Sequence, residues 1–133
     1  MLESLLKTLS EELELDQIPH KEENNTYQLA LNPQMTVRMQ ELDPGVAFLG
    51  TIGTCPVEKR EALFTFLMKA NFLGQGTGKG TIALDENENF LTLSSVIPYD
   101  MNYKAFKDAL EEFTNYLDYW KEALILYKKE ERN

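Results

Sequence analysis

The chain has 133 residues, 43% of them apolar, and a formal net charge of −9. That is enough apolar chain for one domain with its own core, and too much for intrinsic disorder. A polyanion with a pI near 4.6 is repelled by nucleic acid phosphates and by anionic membranes, which leaves soluble partners, basic ones above all.

Leu2, Leu5, Leu6, Leu9 and Leu13 recur at helical spacing with Glu3, Lys7, Glu11 and Glu12 between them, which predicts a short amphipathic first helix ending before Pro19. The early acid and the absence of a long apolar run argue against a secretory signal, and no stretch approaches the roughly 18 apolar residues of a membrane span. The polar stretch from Pro19 to Asn25 reads as loop. Three alternating runs follow: Tyr27, Leu29 and Leu31; then Met35, Val37 and Met39; then Val46, Phe48, Gly50 and Ile52. Asn32-Pro33-Gln34 and Asp43-Pro44-Gly45 are turn signals between them, so these runs predict an antiparallel meander with one buried face.

Pro56 fits the first position of a second helix. Leu63, Phe66, Leu67 and Ala70 mark one face of it, and Phe64 and Met68 mark a neighbouring stripe. A helix on the surface of a monomer needs one apolar face, so the second stripe points to a partner surface such as a dimer contact. After a glycine-rich block, Thr81-Ile82-Ala83-Leu84 and Phe90-Leu91-Thr92-Leu93 flank the acidic loop Asp85-Glu86-Asn87-Glu88-Asn89 as a hairpin. Asp100 fits an N-cap. Tyr103, Phe106, Leu110, Phe113, Leu117, Trp120, Leu124 and Tyr127 then step by three and four along a long final helix packed across the sheet, with Lys128, Lys129 and Arg132 complementing its dipole. The order is α-β-β-β-α-β-β-α, an α+β fold in a single domain over residues 1–133 with a twisted, mainly antiparallel sheet packed against helices.

The block Gly74-Gln75-Gly76-Thr77-Gly78-Lys79-Gly80 superficially resembles a phosphate loop. A Walker A loop needs Ser or Thr after the Lys, a Gly at position 73 and a strand before and helix after; here Gly80 follows Lys79, Leu73 stands at that position, and the order is reversed. The dinucleotide pattern fails at Lys79. The block reads as a helix C-cap at Gly74 and a flexible turn. His20 is the sole histidine, in a polar loop, and reads as solvated. Cys55 is the sole cysteine; it allows no internal disulfide and reads as a half-buried thiol without a base. Glu11, Glu12, Glu14, Asp16, Glu22 and Glu23 read as a solvated acidic face, and Asp85, Glu86 and Glu88 lack the ligand spacing of an EF-hand. Met35 and Met39 suit a core and also an adaptable binding surface. Catalytic residues, a cofactor site and a metal site are all absent from this reading, which favours binding of protein chains.

With its small size, acidity and element order, the chain resembles the class I type III secretion chaperones, the Tir-chaperone-like family. The local signature is Leu67-Met68-Lys69-Ala70-Asn71-Phe72, a glycine turn, Thr81-Ile82-Ala83-Leu84-Asp85, a polar loop and Phe90-Leu91-Thr92-Leu93. The extra glycines of the turn depart from the family pattern. The resemblance implies a homodimer formed through the second helix and the next strand, near Phe64, Leu67, Met68 and Ile82. It implies that the N-terminal region of a secreted effector binds in extended form, with Leu2, Leu5, Leu6 and Leu9 of the first helix and Met35, Val37 and Met39 of the sheet as groove residues. It further implies no ATP and no other cofactor, a bacterial cytoplasmic location, and hand-over to the secretion apparatus, with its ATPase or sorting components as further partners. The alternative is a small acidic α/β inhibitor or adaptor module, of the immunity-protein type, with a basic target.

Overall fold

A computed structural model describes residues 1–15, 19 and 21–132, except for the side chains of residues 131 and 132. His20 and Asp16 lie outside the described residues, as does the side chain of Arg132. The elements follow the expected order: α1 (Leu2–Glu12), β1 (Thr26–Asn32), β2 (Met35–Glu41), β3 (Val46–Thr54), α2 (Arg60–Asn71), β4 (Thr81–Leu84), β5 (Phe90–Ile97) and α3 (Tyr103–Arg132).

The five strands form one antiparallel sheet in the order β1-β2-β3-β5-β4. The meander places β3 at the centre, and α2 carries the chain to the edge strand β4, from which β5 returns beside β3. Alternation does what period two requires. Tyr27, Leu29, Val37, Met39, Phe48, Leu91 and Leu93 turn inward and are buried, while Gln28, Thr36, Arg38, Gln40 and Thr51 stay on an open polar face.

The helices cover the inward face in a second layer. Every member of the predicted α3 seam from Phe106 to Leu124 is buried, with Tyr103 and Tyr127 half-buried at its ends. Phe48 lies between Phe106 and Phe113, with ring centroids 6.1 and 5.4 Å away. The close approach of α3 to β3 depends on Gly50, where a Cβ would sit 2.5 Å from a Leu117 methyl.

Two local expectations are corrected. Pro56 does not open α2, which starts at Arg60 after Lys59 in a left-handed conformation (φ 56°). The Pro56 carbonyl instead accepts the Arg60 Nε–H at 2.6 Å, while the preceding Cys55 N–H bonds the Asn89 carbonyl at 2.8 Å. Asn102, not Asp100, caps α3: its side chain accepts the Ala105 N–H at 2.8 Å and its carbonyl the Phe106 N–H at 3.0 Å. Lys128 reaches across to the Thr54 hydroxyl at the end of β3.

Candidate functional site

Two surfaces that the family resemblance implies for partners have opposite fates. The first is α1 and the strand beneath it. Leu2, Leu6 and Leu9 are buried, as is Leu5, and they join Met35, Val37 and Met39 in the main core. Leu2, Val37 and Met39 are 0% exposed. In the free chain these side chains therefore form closed packing and not an open groove. The reason lies in the leucine stripe itself: an 11-residue helix with apolar residues on one side only buries that side against the sheet.

Polar contacts fix α1 at both ends. The Glu41 carboxylate at the end of β2 accepts the Leu2 N–H at 2.8 Å and lies 3.1 Å from the Met1 amino group. This is an N-terminal helix cap supplied by a distant strand. The bond to the Leu2 N–H holds the Glu41 carboxyl below the usual glutamate range. At the other end, the Glu12 carboxylate accepts hydrogen bonds from the Lys107 ammonium and the Tyr103 hydroxyl of α3. The Lys107 bond, followed by that of Tyr103, lowers the Glu12 carboxyl in turn. Glu12 is thus an anchor and more than part of a solvated acidic face. Between the two ends, Ser10 is 3% exposed and its hydroxyl has no hydrogen-bond partner among the described residues.

The second surface is α2 with the turn behind it. Leu63 and Leu67 are buried and Phe64 is half-buried, but Phe66 is 56% and Met68 71% exposed. Phe66 therefore leaves the inner face to which its spacing assigned it. The one-turn 3-10 helix Phe72–Gly74 extends the patch, with Phe72 62% and Leu73 82% exposed. Leu73 takes the left-handed position (φ 54°) ahead of Gly74, so α2 ends at Asn71 and Gly74 is not its cap. Ile82 is buried beneath this region. Of the four predicted dimer residues, Met68 alone is fully presented to solvent.

The turn that follows is built to pack. Asn71 pins the end of α2 to β4: its side chain accepts the Ile82 N–H at 2.7 Å and donates to the Ile82 carbonyl at 2.9 Å. Gly76 lies against Ala70, where a Cβ would meet the Ala70 Cβ at 2.9 Å, and its carbonyl accepts the Trp120 Nε1–H at 2.9 Å. The N–H groups of Gln75, Gly76, Thr77 and Gly80 are all spent on carbonyls between Ala70 and Thr77. A phosphate cradle needs such donors free and convergent, so this geometry is a turn and not an anion site. Beside it opens a cavity of about 610 Å³ lined by Phe66, Ala70, Gly76, Tyr116, Tyr119 and Trp120. Trp120 anchors the lining, edge-on to Phe66 at 5.8 Å and to Tyr119 at 5.2 Å.

Elsewhere the chemistry is structural. The Asp85 carboxylate accepts the N–H groups of Asn89 and Phe90, closing the acidic hairpin loop. Cys55 is buried. Among the described residues, no cluster of three His, Cys, Asp or Glu side chains could hold a metal ion, and no helix is long and apolar enough to cross a membrane.

Sequence reasoning missed Asn71, Trp120 as a hydrogen-bond donor, Glu41 as a cap and Glu12 as an anchor. Each acts across a long loop or a tertiary contact, and periodicity carries no signal for such pairs.

No curated protein matches the sequence. Several solved structures share the fold. A chain of the HopA1–SchA chaperone–effector complex superposes with a TM-score of 0.68 and 15% identity, covering 91% of this chain and 93% of that one. A chain of the ExsC–ExsE complex gives 0.76 and 16%, covering 91% of both chains. A chain of the heterodimeric ExoU–SpcU complex, from the type III secretion system of Pseudomonas aeruginosa, gives 0.67 and 17%, covering 94% and 95%. The model of the Tir chaperone protein (CesT) family matches residues 4–121, nearly the whole of the described fold from α1 into α3, and the chain belongs to that family.

Proposed function

We propose that this protein is a type III secretion chaperone. It acts as a homodimer that holds the N-terminal region of a secreted effector in extended form, masks its apolar segments and keeps it competent for export. The chemistry is stoichiometric binding; the residues described offer hydrogen-bonding caps and apolar packing, and no constellation of nucleophile, base and oxyanion donor. The observation that carries this reading is the apolar surface of Phe66, Met68, Phe72 and Leu73, which this chain on its own leaves in water. Large contiguous apolar patches mark surfaces that meet another chain.

The dimer contact is placed on α2 and the start of β4. Met68, Phe66 and the edge of Phe64 meet the partner, while Leu67 and Ile82 support them from within. The effector region runs along α1 and the meander, over the surface that Leu2, Leu5, Leu6, Leu9, Met35, Val37 and Met39 support from within the core. The edge of β1 beyond the Lys21–Tyr27 bridge can pair with an extended chain by strand addition. The protein works in the bacterial cytoplasm and passes its cargo to the ATPase or sorting components of the apparatus.

The test is co-expression with each secreted protein encoded beside its gene, followed by light scattering on the purified complex. The expected product is two copies of the 15.3 kDa chain with one effector segment. A monomer at micromolar concentration rejects the dimer, and failure to hold any of those effectors rejects the chaperone role.

A further inference from the structure

The α1 leucines are buried in the core they share with the sheet and α3, and the helix is fastened at both ends. Its first N–H is capped by Glu41 from the end of β2, and its last turn is tied by Glu12 to Tyr103 and Lys107 of α3. All of these side chains sit at the rim, where Glu12, Glu41 and Lys107 are between a quarter and a little under half exposed. The interior of the contact carries a defect, because the Ser10 hydroxyl is buried without a partner among the described residues. A buried hydroxyl that makes no hydrogen bond loses its hydration for nothing, so it favours every state in which α1 is lifted.

We propose that α1 is a displaceable cover: it leaves the sheet as a unit, while β3, β5 and α3 stay folded, and so uncovers the part of the core that its four leucines close. The burial of four leucines keeps the cover closed in most molecules. The two rim anchors set how often it opens, and Ser10 shifts that balance toward opening. A segment that brings its own apolar side chains regains the area α1 gives up, so it selects the open form. The last step rests on the chaperone reading; the opening itself does not.

Hydrogen–deuterium exchange followed by mass spectrometry on the full chain, with no partner added, tests it. Amides of residues 3–12 are expected to exchange at least about tenfold faster than those of β3 and β5, because a local opening needs less free energy than global unfolding. Glu41→Gln is expected to speed α1 exchange about threefold or more, through loss of a charge-assisted cap, and to leave β3 and β5 unchanged. Ser10→Ala is expected to slow α1 exchange alone. The proposal is overturned if α1 exchanges at the rate of the sheet, or if either variant leaves α1 unchanged or moves all elements together. Since no effector is present, such a failure leaves the chaperone reading standing. Loss of effector capture by a protein whose α1 does open would instead remove that reading.

Discussion

Helices α1 and α2 have nearly the same length, 11 and 12 residues, and the family resemblance implies a partner on each, while the residue pattern itself points to one only on α2. The fold treats them oppositely. All four α1 leucines are spent inside the chain, whereas α2 buries Leu63 and Leu67 and leaves Phe66 and Met68 in water. The number of apolar stripes separates them. A single stripe on a short helix matches a single supporting surface, and the chain's own sheet satisfies it. A second stripe has no internal surface left to meet. Apolar content alone therefore does not mark a partner site; apolar content beyond what one face can bury does.

The comparison breaks most severely if the two helices respond alike to a buried charge. Leu6, 1% exposed, should not tolerate Asp: Leu6→Asp is expected to cost about 4 kcal/mol or more, enough to unfold much of the population. Circular dichroism melts would register this directly. The exposed Met68→Asp should move monomer stability by no more than about 0.5 kcal/mol. Its effect falls on association, where a charge at the centre of the α2 face is expected to weaken the dimer by about a hundredfold. Sedimentation equilibrium reads that constant. A Met68→Asp protein as dimeric as its parent removes α2 from the interface. Leu67→Glu would be a poor test of the same point, because Leu67 is buried and the chain would suffer first.

Asn71 sharpens the contrast from the α2 side. It holds the end of the helix to β4 through paired bonds to the Ile82 N–H and carbonyl. Asn71→Ala removes both and strands two backbone groups, for an expected loss of about 2 kcal/mol. If the Phe72–Leu73 surface depends on that pin, the same variant weakens the dimer while α1 exchange stays at the parent rate. Equal loosening of both helices would mean that the two surfaces are not independent.

Much of this was legible beforehand because it depends on periodicity. Strand boundaries, the α3 seam and the inward face of the sheet follow from spacing two and from steps of three and four, and the structure reproduces them nearly residue by residue. Three kinds of information were not. Pro56 and Asp100 are favourable residues for a helix start, but intrinsic preference does not say which of several nearby candidates the tertiary contacts choose; Arg60 and Asn102 took those places. The stripe rule shows that α1 is amphipathic but not whether its apolar side faces its own sheet or another chain. Caps and anchors supplied from dozens of residues away, such as Glu41 for Leu2 and Glu12 for Lys107, leave no local trace. The candidate partner sites were thus legible as apolar surface and illegible as exposure.

The smallest expected effect is the acid response of α1. Glu12 and Glu41 are both held below the ordinary glutamate value of 4.5, Glu12 by the Lys107 bond first and Glu41 by the Leu2 N–H first. A carboxyl whose folded value is depressed adds stability that is complete above its unfolded value and lost as pH falls through the folded one. The anchors of α1 should therefore be intact at neutral pH and release below about pH 4.5, as each carboxylate takes a proton. The groups facing them support the same sign. Lys107 is raised by its bond to Glu12, and the Met1 amino group and Lys21 add attraction that lowers Glu41 further. Tyr27 and Tyr103 are raised by burial and remain neutral, while Glu111 acts on Lys107 from the same helix. On acidification, exchange of α1 should rise before that of β3 and β5, and the Glu12→Gln, Glu41→Gln double variant should lose this separate acid step while keeping fast α1 exchange at all pH values. Nothing comparable anchors the exposed face of α2 among the contacts described, so an acid step that loosens α2 first would reverse the assignment of the two helices.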